Sequence, residues 1–375
     1  MTSELLYVGT HRRAHKADPA DIAFGIYVFA KAPGDVGMNF IHMTPTPQPG
    51  WIAPHPSGKF IYVVNETTDF EAAPGGGVSA FSVAPGTGAL TPLNVARTPA
   101  LPCHCEVDAM GQFLLVATFG GGSVHLFRIA AAGRIGAQLD SHQHTGSSVH
   151  PRRQTRPHAH AVTLDPANRF VLVPDLGADQ IVVYELDRAA GRLVAQPSRN
   201  VRVAPGSGPR HITFEAGGRF AYLMNEMTAT ITAFAYDPAH GALRELQSVD
   251  LLPSGFAGLR SGAELAIHPA GRFLYATTRS HGSSGEPPMR GLDSLLWFEI
   301  DPQSGFLQPR GSVSSGGEIP RSFAFDRSGD HLFVGHQCSG TVVAFRIDRQ
   351  TGAPSPTGDV TETPVPVCLL FGSTN

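Results

Sequence analysis

His160, Arg210 and Arg321 each stand eight residues before a tight turn, at Asn168, Gly218 and Gly329 respectively. Glu66, Glu226, Arg279 and Gln337 each stand eight residues after one, at Gly58, Gly218, Gly271 and Gly329. His104, His211 and Glu264 follow the first of these positions by one residue, and His158 precedes His160 by two. The residues around them are nearly interchangeable apolar strand, whereas these positions vary among His, Arg, Glu and Gln. Imidazole exchanges a proton near neutrality, at an ordinary pKa of ~6.5. A carboxylate can orient that imidazole or act as the base itself, and the arginine fork matches carboxylate or phosphate. Gathered at one place, the set predicts proton transfer on a small anionic ligand.

The turns belong to a repeat, and the repeat dictates the elements. A short apolar strand, a polar turn and an Arg-Phe-like opening of a second apolar strand recur six times. The turn residues Gly58, Gly111, Asn168, Gly218, Gly271 and Gly329 are 53, 57, 50, 53 and 58 apart. Third strands follow, such as Gln180 to Leu186 and Thr341 to Ile347, and then a more polar fourth. Four antiparallel strands in ~50 residues make one propeller blade. The ends supply the seventh: Leu5 to His11 and Gly25 to Ala30 as second and third strands, and Val365 to Phe371 as the first. The fold predicted is all-β, a seven-bladed β-propeller over residues 1–375 as one domain, its ring closed by the two ends sharing a blade. The 42 glycines and 31 prolines, about a fifth of 375 residues against an average of ~12%, fit so turn-rich a chain. In a propeller the inner strands converge on a central channel, so both register positions meet at its mouth.

A net charge of −3 without a Lys/Arg run argues against a nucleic-acid or anionic-membrane surface. Four cysteines make no disulfide framework, and Cys338 and Cys368 are expected to be packed. The opening from Met1 to Gly9 lacks the features of a signal peptide, and no apolar run could span a bilayer, so a soluble cytoplasmic protein is expected. His158-x-His160, His142-x-His144 and Cys103-His-Cys105 lack the further spaced ligands of a zinc signature, and no metal is expected. His142, His144 and His150 read as a solvated loop. The runs Gly75–Gly77 and Gly120–Gly122 read as turns rather than phosphate loops, and no G-x-S-x-G elbow is present.

The segments Pro157-His-Ala-His160, Gly208-Pro-Arg-His211 with Asn225-Glu226, and Pro320-Arg-Ser-Phe-Ala-Phe-Asp326 resemble the seven-bladed propeller lactonase family. That family contains bacterial propeller-type 6-phosphogluconolactonases and fungal carboxy-cis,cis-muconate cyclases, and the likeness spans Leu6 to Phe371. It implies a cofactor-free site built from a histidine, a glutamate and arginines: His160 (with His158 beside it), Arg210, Glu226 and Arg279. Arg290 is the alternative second arginine, because the stretch from Arg279 to Leu292 is long and rich in Gly and Pro. The reaction implied is hydrolysis of a small anionic sugar lactone, foremost 6-phosphogluconolactone to 6-phosphogluconate in the pentose phosphate route. A carboxymuconate cyclase or another sugar-acid lactonase is the alternative, and a non-catalytic propeller docking a protein partner is the alternative of another class. Either His160 or Glu226 would be the base, with Arg210 at the oxyanion and Arg279 and Arg321 on the phosphate or carboxylate. His158, His211, His104, Glu66 and Gln337 would complete the lining. The expected partner is thus the lactone itself, neither nucleic acid nor membrane, with monomer and dimer both open.

Overall fold

A computed structural model describes residues 4–11, 24–32, 34–280 and 292–372. Seven sheets of mainly four antiparallel strands stand in a ring. Six follow one another along the chain, their inner strands beginning at Pro49, Pro102, Thr163, Pro209, Gly262 and Pro320; we number these blades 1 to 6. In the closing blade the inner strand Pro366–Gly372 pairs with Glu4–Thr10, which pairs with Gly25–Lys31 and through it with Met38–Pro45. The sharing of one blade by the two ends is therefore as expected. Lys31, itself buried, carries this blade to blade 6 through an ion pair with Asp326 at 3.1 Å.

Second strands such as Phe113–Thr118, Phe170–Asp175 and Phe220–Asn225 are buried on both faces, since each blade is sandwiched between two others. That explains their continuous apolar runs. Outer strands such as Pro354–Glu362 face solvent on one side and alternate. At the six inner turns Gly58, Gly111, Asn168, Gly218, Gly271 and Gly329 all have φ between +58° and +78°, the region glycine and asparagine tolerate. Asp108 and Asp165 fasten two of these turns by accepting backbone N–H groups at 2.6–2.8 Å.

One irregularity positions the site. The inner strands of blades 1, 2, 4, 5 and 6 each slip register near their start, between Pro49 and Trp51, Pro102 and His104, Pro209 and Ile212, Gly262 and Leu265, and Pro320 and Ser322. Such bulges re-aim side chains at the end of a ladder. In blade 3 the ladder frays further: its inner strand is just Thr163–Leu164, and His160 lies before it, its N–H donating to the Pro174 carbonyl at 2.9 Å. Pro174, on the neighbouring strand, has no N–H to give back.

Candidate functional site

Glu226 follows the second strand of blade 4, and its backbone N–H donates to the Gly208 carbonyl at 2.7 Å. Its side chain is almost entirely buried and collects cations from three directions. Arg279, at the same position in blade 5, places Nη2 2.8 Å from Oε2. Arg153 places Nη2 2.6 Å from Oε1. Arg210, from the inner strand of blade 4, comes within 3.9 Å of Oε2, and His160 Nε2 lies 3.7 Å from the same oxygen. Two of the guanidiniums are tied down at their other ends: Arg210 Nε donates to the Ala263 carbonyl at 2.6 Å and Arg279 Nε to Ser261 Oγ at 3.0 Å. Arg210 Nη1 also donates to His160 Nε2 at 2.7 Å, an arrangement that requires a neutral imidazole.

The electrostatics follow from this packing. Burial alone would raise the Glu226 carboxyl, but Arg153, Arg279, Arg210 and His160 outweigh it and hold the group well below the usual carboxylate range. Burial, reinforced by the Arg210 charge, holds His160 well below an ordinary histidine. Glu226 is thus an anion and His160 a neutral base at neutral pH. Across the mouth Glu66 lies 3.6 Å from His11 and 3.7 Å from Arg321. Burial takes His11 down to about 4, with Glu66 opposing and Arg321 adding to the shift. Gly50 occupies the place that His160 and Arg210 take in their blades; a Cβ there would meet Glu66 Oε2 at 2.6 Å, so the glycine makes room for the carboxylate.

A layer further in, His211 Nδ1 donates to Glu264 at 2.8 Å. Its ring lies 5.3 Å from that of His160 and 5.4 Å from that of His104, which packs on Trp51 at 4.4 Å. These groups cap a channel cavity of about 390 Å³ reaching Glu106 and Thr213.

The structure therefore brings together His160, Arg210, Glu226 and Arg279, with Arg321 and Glu66 opposite and His211 and His104 beneath. It does not bring His158 to them. That imidazole donates to the Phe119 carbonyl at 2.8 Å and stacks on the Phe119 ring, which separates it from His160. Gln337 lies half-buried at the rim, its N–H donating to the Ile319 carbonyl. Arg290 lies outside the described residues.

Two expectations are corrected. His144 is buried, its Nδ1 donating to Asp175 at 2.7 Å, so it is an anchor and not a solvated loop residue, and His142 lies on the strand Ile135–Gln143, opposite Val124, rather than in a loop. Cys338 is exposed at a turn, while Cys103, Cys105 and Cys368 are buried. Burial pushes the Cys103 thiol far up, and its Sγ donates to the His160 carbonyl at 3.1 Å, so this thiol is packing and not a nucleophile. Arg153 was missed because it sits on no repeat position. The available signal was length: the connection from Gln143 to His158 far exceeds the three residues between Thr98 and Pro102, and it carries Arg152, Arg153 and Arg156.

A family profile described as a lactonase, 7-bladed beta-propeller, matches residues 6–371. The chain belongs to this lactonase family. A Bacillus subtilis 6-phosphogluconolactonase is 32% identical over 86% of this chain and 87% of its own length. Among solved structures, a periplasmic gluconolactonase of Pseudomonas aeruginosa is 30% identical with a TM-score of 0.89, covering 100% of both chains. A putative 6-phosphogluconolactonase of Bacteroides fragilis is 29% identical with a TM-score of 0.87, over 99% of this chain and 98% of that one. The chain is thus similar to lactone hydrolases along nearly its whole length, and a purely docking role is set aside.

Proposed function

We propose that this lactonase hydrolyses a phosphorylated aldonolactone, 6-phosphogluconolactone, to the open acid. The observation that carries the choice of substrate is the excess of cation at the mouth. Arg153, Arg210, Arg279 and Arg321 face Glu226 and Glu66 there, and the two histidines among them, His11 and His160, are held neutral by burial. Such a surplus suits a phosphate dianion better than an uncharged sugar lactone. The unphosphorylated lactone is the second reading, favoured by the likeness to the periplasmic gluconolactonase.

In the mechanism we infer, Glu226 takes a proton from water as the water oxygen bonds to the lactone carbonyl carbon. Arg210, fixed by Ala263, offers its Nη hydrogens to the carbonyl oxygen as that atom gains charge. The tetrahedral intermediate then collapses, the bond from carbonyl carbon to ring oxygen breaks, and the ring oxygen receives the proton held at Glu226. His160 stays neutral beside both and keeps Arg210 in place by accepting its hydrogen bond. A phosphate dianion cannot cross a membrane unaided, so we place the reaction in the cytoplasm, in the compartment of whichever reaction supplies the phosphorylated lactone. Among the described residues no helix is long and apolar enough to cross a membrane.

Loss of a general base costs ~10²–10⁴-fold and loss of an oxyanion donor ~10²–10³-fold. Glu226→Gln and Arg210→Ala should therefore each lower turnover at least ~10²-fold, with circular dichroism reporting an intact fold. Near-normal turnover in both variants would contradict the assignment.

A further inference from the structure

Arg153 comes from no blade strand. It lies in the connection 144–157, which is pinned at several points. His144 bonds Asp175; the wholly buried Gln154 donates from Nε2 to the Leu176 carbonyl at 2.9 Å and accepts from the His150 N–H at 3.1 Å. The Arg153 N–H itself donates to His150 Nδ1 at 3.1 Å. The backbone is held, and the side chain is the part with freedom to move. Of the three guanidiniums on Glu226 it is the most exposed, at 18% against 8% for Arg279 and 3% for Arg210. Among the described residues, nothing anchors the Arg153 guanidinium in the way Ser261 and Ala263 anchor the other two.

In this state Glu226 is a poor base, because guanidiniums hold both of its oxygens and lower its proton affinity. Arg153 occupies Oε1 and Arg279 occupies Oε2. We propose that Arg153 is a substrate-operated gate: the phosphate of an incoming lactone takes its guanidinium and frees Glu226 Oε1 to receive a proton from water. This rests on the phospholactonase reading above and adds a reason for its specificity. A dianion at the solvent side competes well for a guanidinium that a monoanion holds. Once Arg153 has left, Glu226 still faces Arg279, Arg210 and His160 but has lost one cation, so its proton affinity rises and it becomes the better base. An unphosphorylated lactone can enter and still find Glu226 capped. The discrimination therefore appears in kcat and not in KM alone.

The test uses the wild type, Arg153→Ala and Arg153→Lys with 6-phosphogluconolactone and glucono-δ-lactone, each rate corrected for spontaneous opening. A charge-assisted contact of this kind is worth roughly tenfold or more, so Arg153→Ala should lower the ratio of kcat/KM for the phosphorylated over the plain lactone by at least that factor, with partial recovery in Arg153→Lys. Phosphite dianion added in solution should accelerate glucono-δ-lactone hydrolysis by the wild type and leave Arg153→Ala unaffected. The acid limb of the pH profile should move to higher pH in Arg153→Ala, because removal of a cation raises Glu226. An equal loss on both lactones with an unmoved acid limb would overturn the gate and leave Arg153 as a fixed orienting group. Calorimetry separates this from the parent reading. Should the wild type open neither lactone, that reading fails, and the gate is judged on whether tighter binding of 6-phosphogluconate over gluconate disappears in Arg153→Ala. A margin that survives in the variant overturns it.

Discussion

Glu106 and Glu226 show how the interior of one ring sets opposite protonation states for two buried carboxyls. Glu226 is surrounded by guanidiniums and stays ionised. Glu106, deeper in the channel, accepts one backbone bond from Leu164 at 3.3 Å, and burial pushes its carboxyl up to about 8. An acid whose folded value lies above its unfolded one of 4.5 contributes stability that is full below that value and is lost as pH rises toward about 8. Glu106→Gln removes the titration and keeps an acceptor for Leu164. Thermal unfolding should therefore find the variant gaining on the wild type as pH rises from 5 to 8. A stability difference that does not change with pH would contradict the protonated state. Our proposal of Glu226 over His160 as base rests on Arg210 occupying His160 Nε2, and the sequence holds no trace of that contact.

At the level of strands and turns, several blades are joined through a second-strand tyrosine, a position where blades 2 and 3 carry Leu115 and Leu172. Tyr62, Tyr222 and Tyr7 each send a hydroxyl to the carbonyl of a turn glycine in the adjoining blade, Gly133 and Gly305 at 3.0 Å and Gly88 at 3.3 Å. Gly305 has φ +74°, and a Cβ there would lie 2.3 Å from the Phe220 ring. Tyr222→Phe leaves a buried carbonyl unpaired and should cost about 1–3 kcal/mol. Gly305→Ala adds backbone strain to a clash and should cost more than Tyr222→Phe, both read from urea unfolding. The reverse order would show that the ring, and not the glycine, sets the spacing of the blades. The register of turns and strands was legible because every copy repeats it. The fraying of blade 3 was not, since it depends on Pro174 standing opposite the inner strand. Nor was the Arg153 connection, since an insertion has no counterpart in the other copies.

For the whole molecule, seven blades serve to bring distant positions to one mouth. Glu66, His160, Arg210, Glu226, Arg279 and Arg321 come from five blades and are separated by up to 255 residues in the chain. Each is held by a bulge or a strand end, so the ring acts as a frame, and the connection 144–157 adds Arg153, the side chain we propose to move. The fold and its closure could be read from periodicity, and the convergence of these six positions followed from it. The pairing pattern within the cluster could not, because sequence gives the position of each side chain but not the direction in which it turns. The most direct test of the account is the rate at which purified, EDTA-treated protein opens freshly made 6-phosphogluconolactone beside glucono-δ-lactone, each against a protein-free blank. The account predicts rapid turnover of the phosphorylated lactone and much slower turnover of the plain one. Equal rates on the two, or no rate above the blank on the phosphorylated lactone, would contradict it.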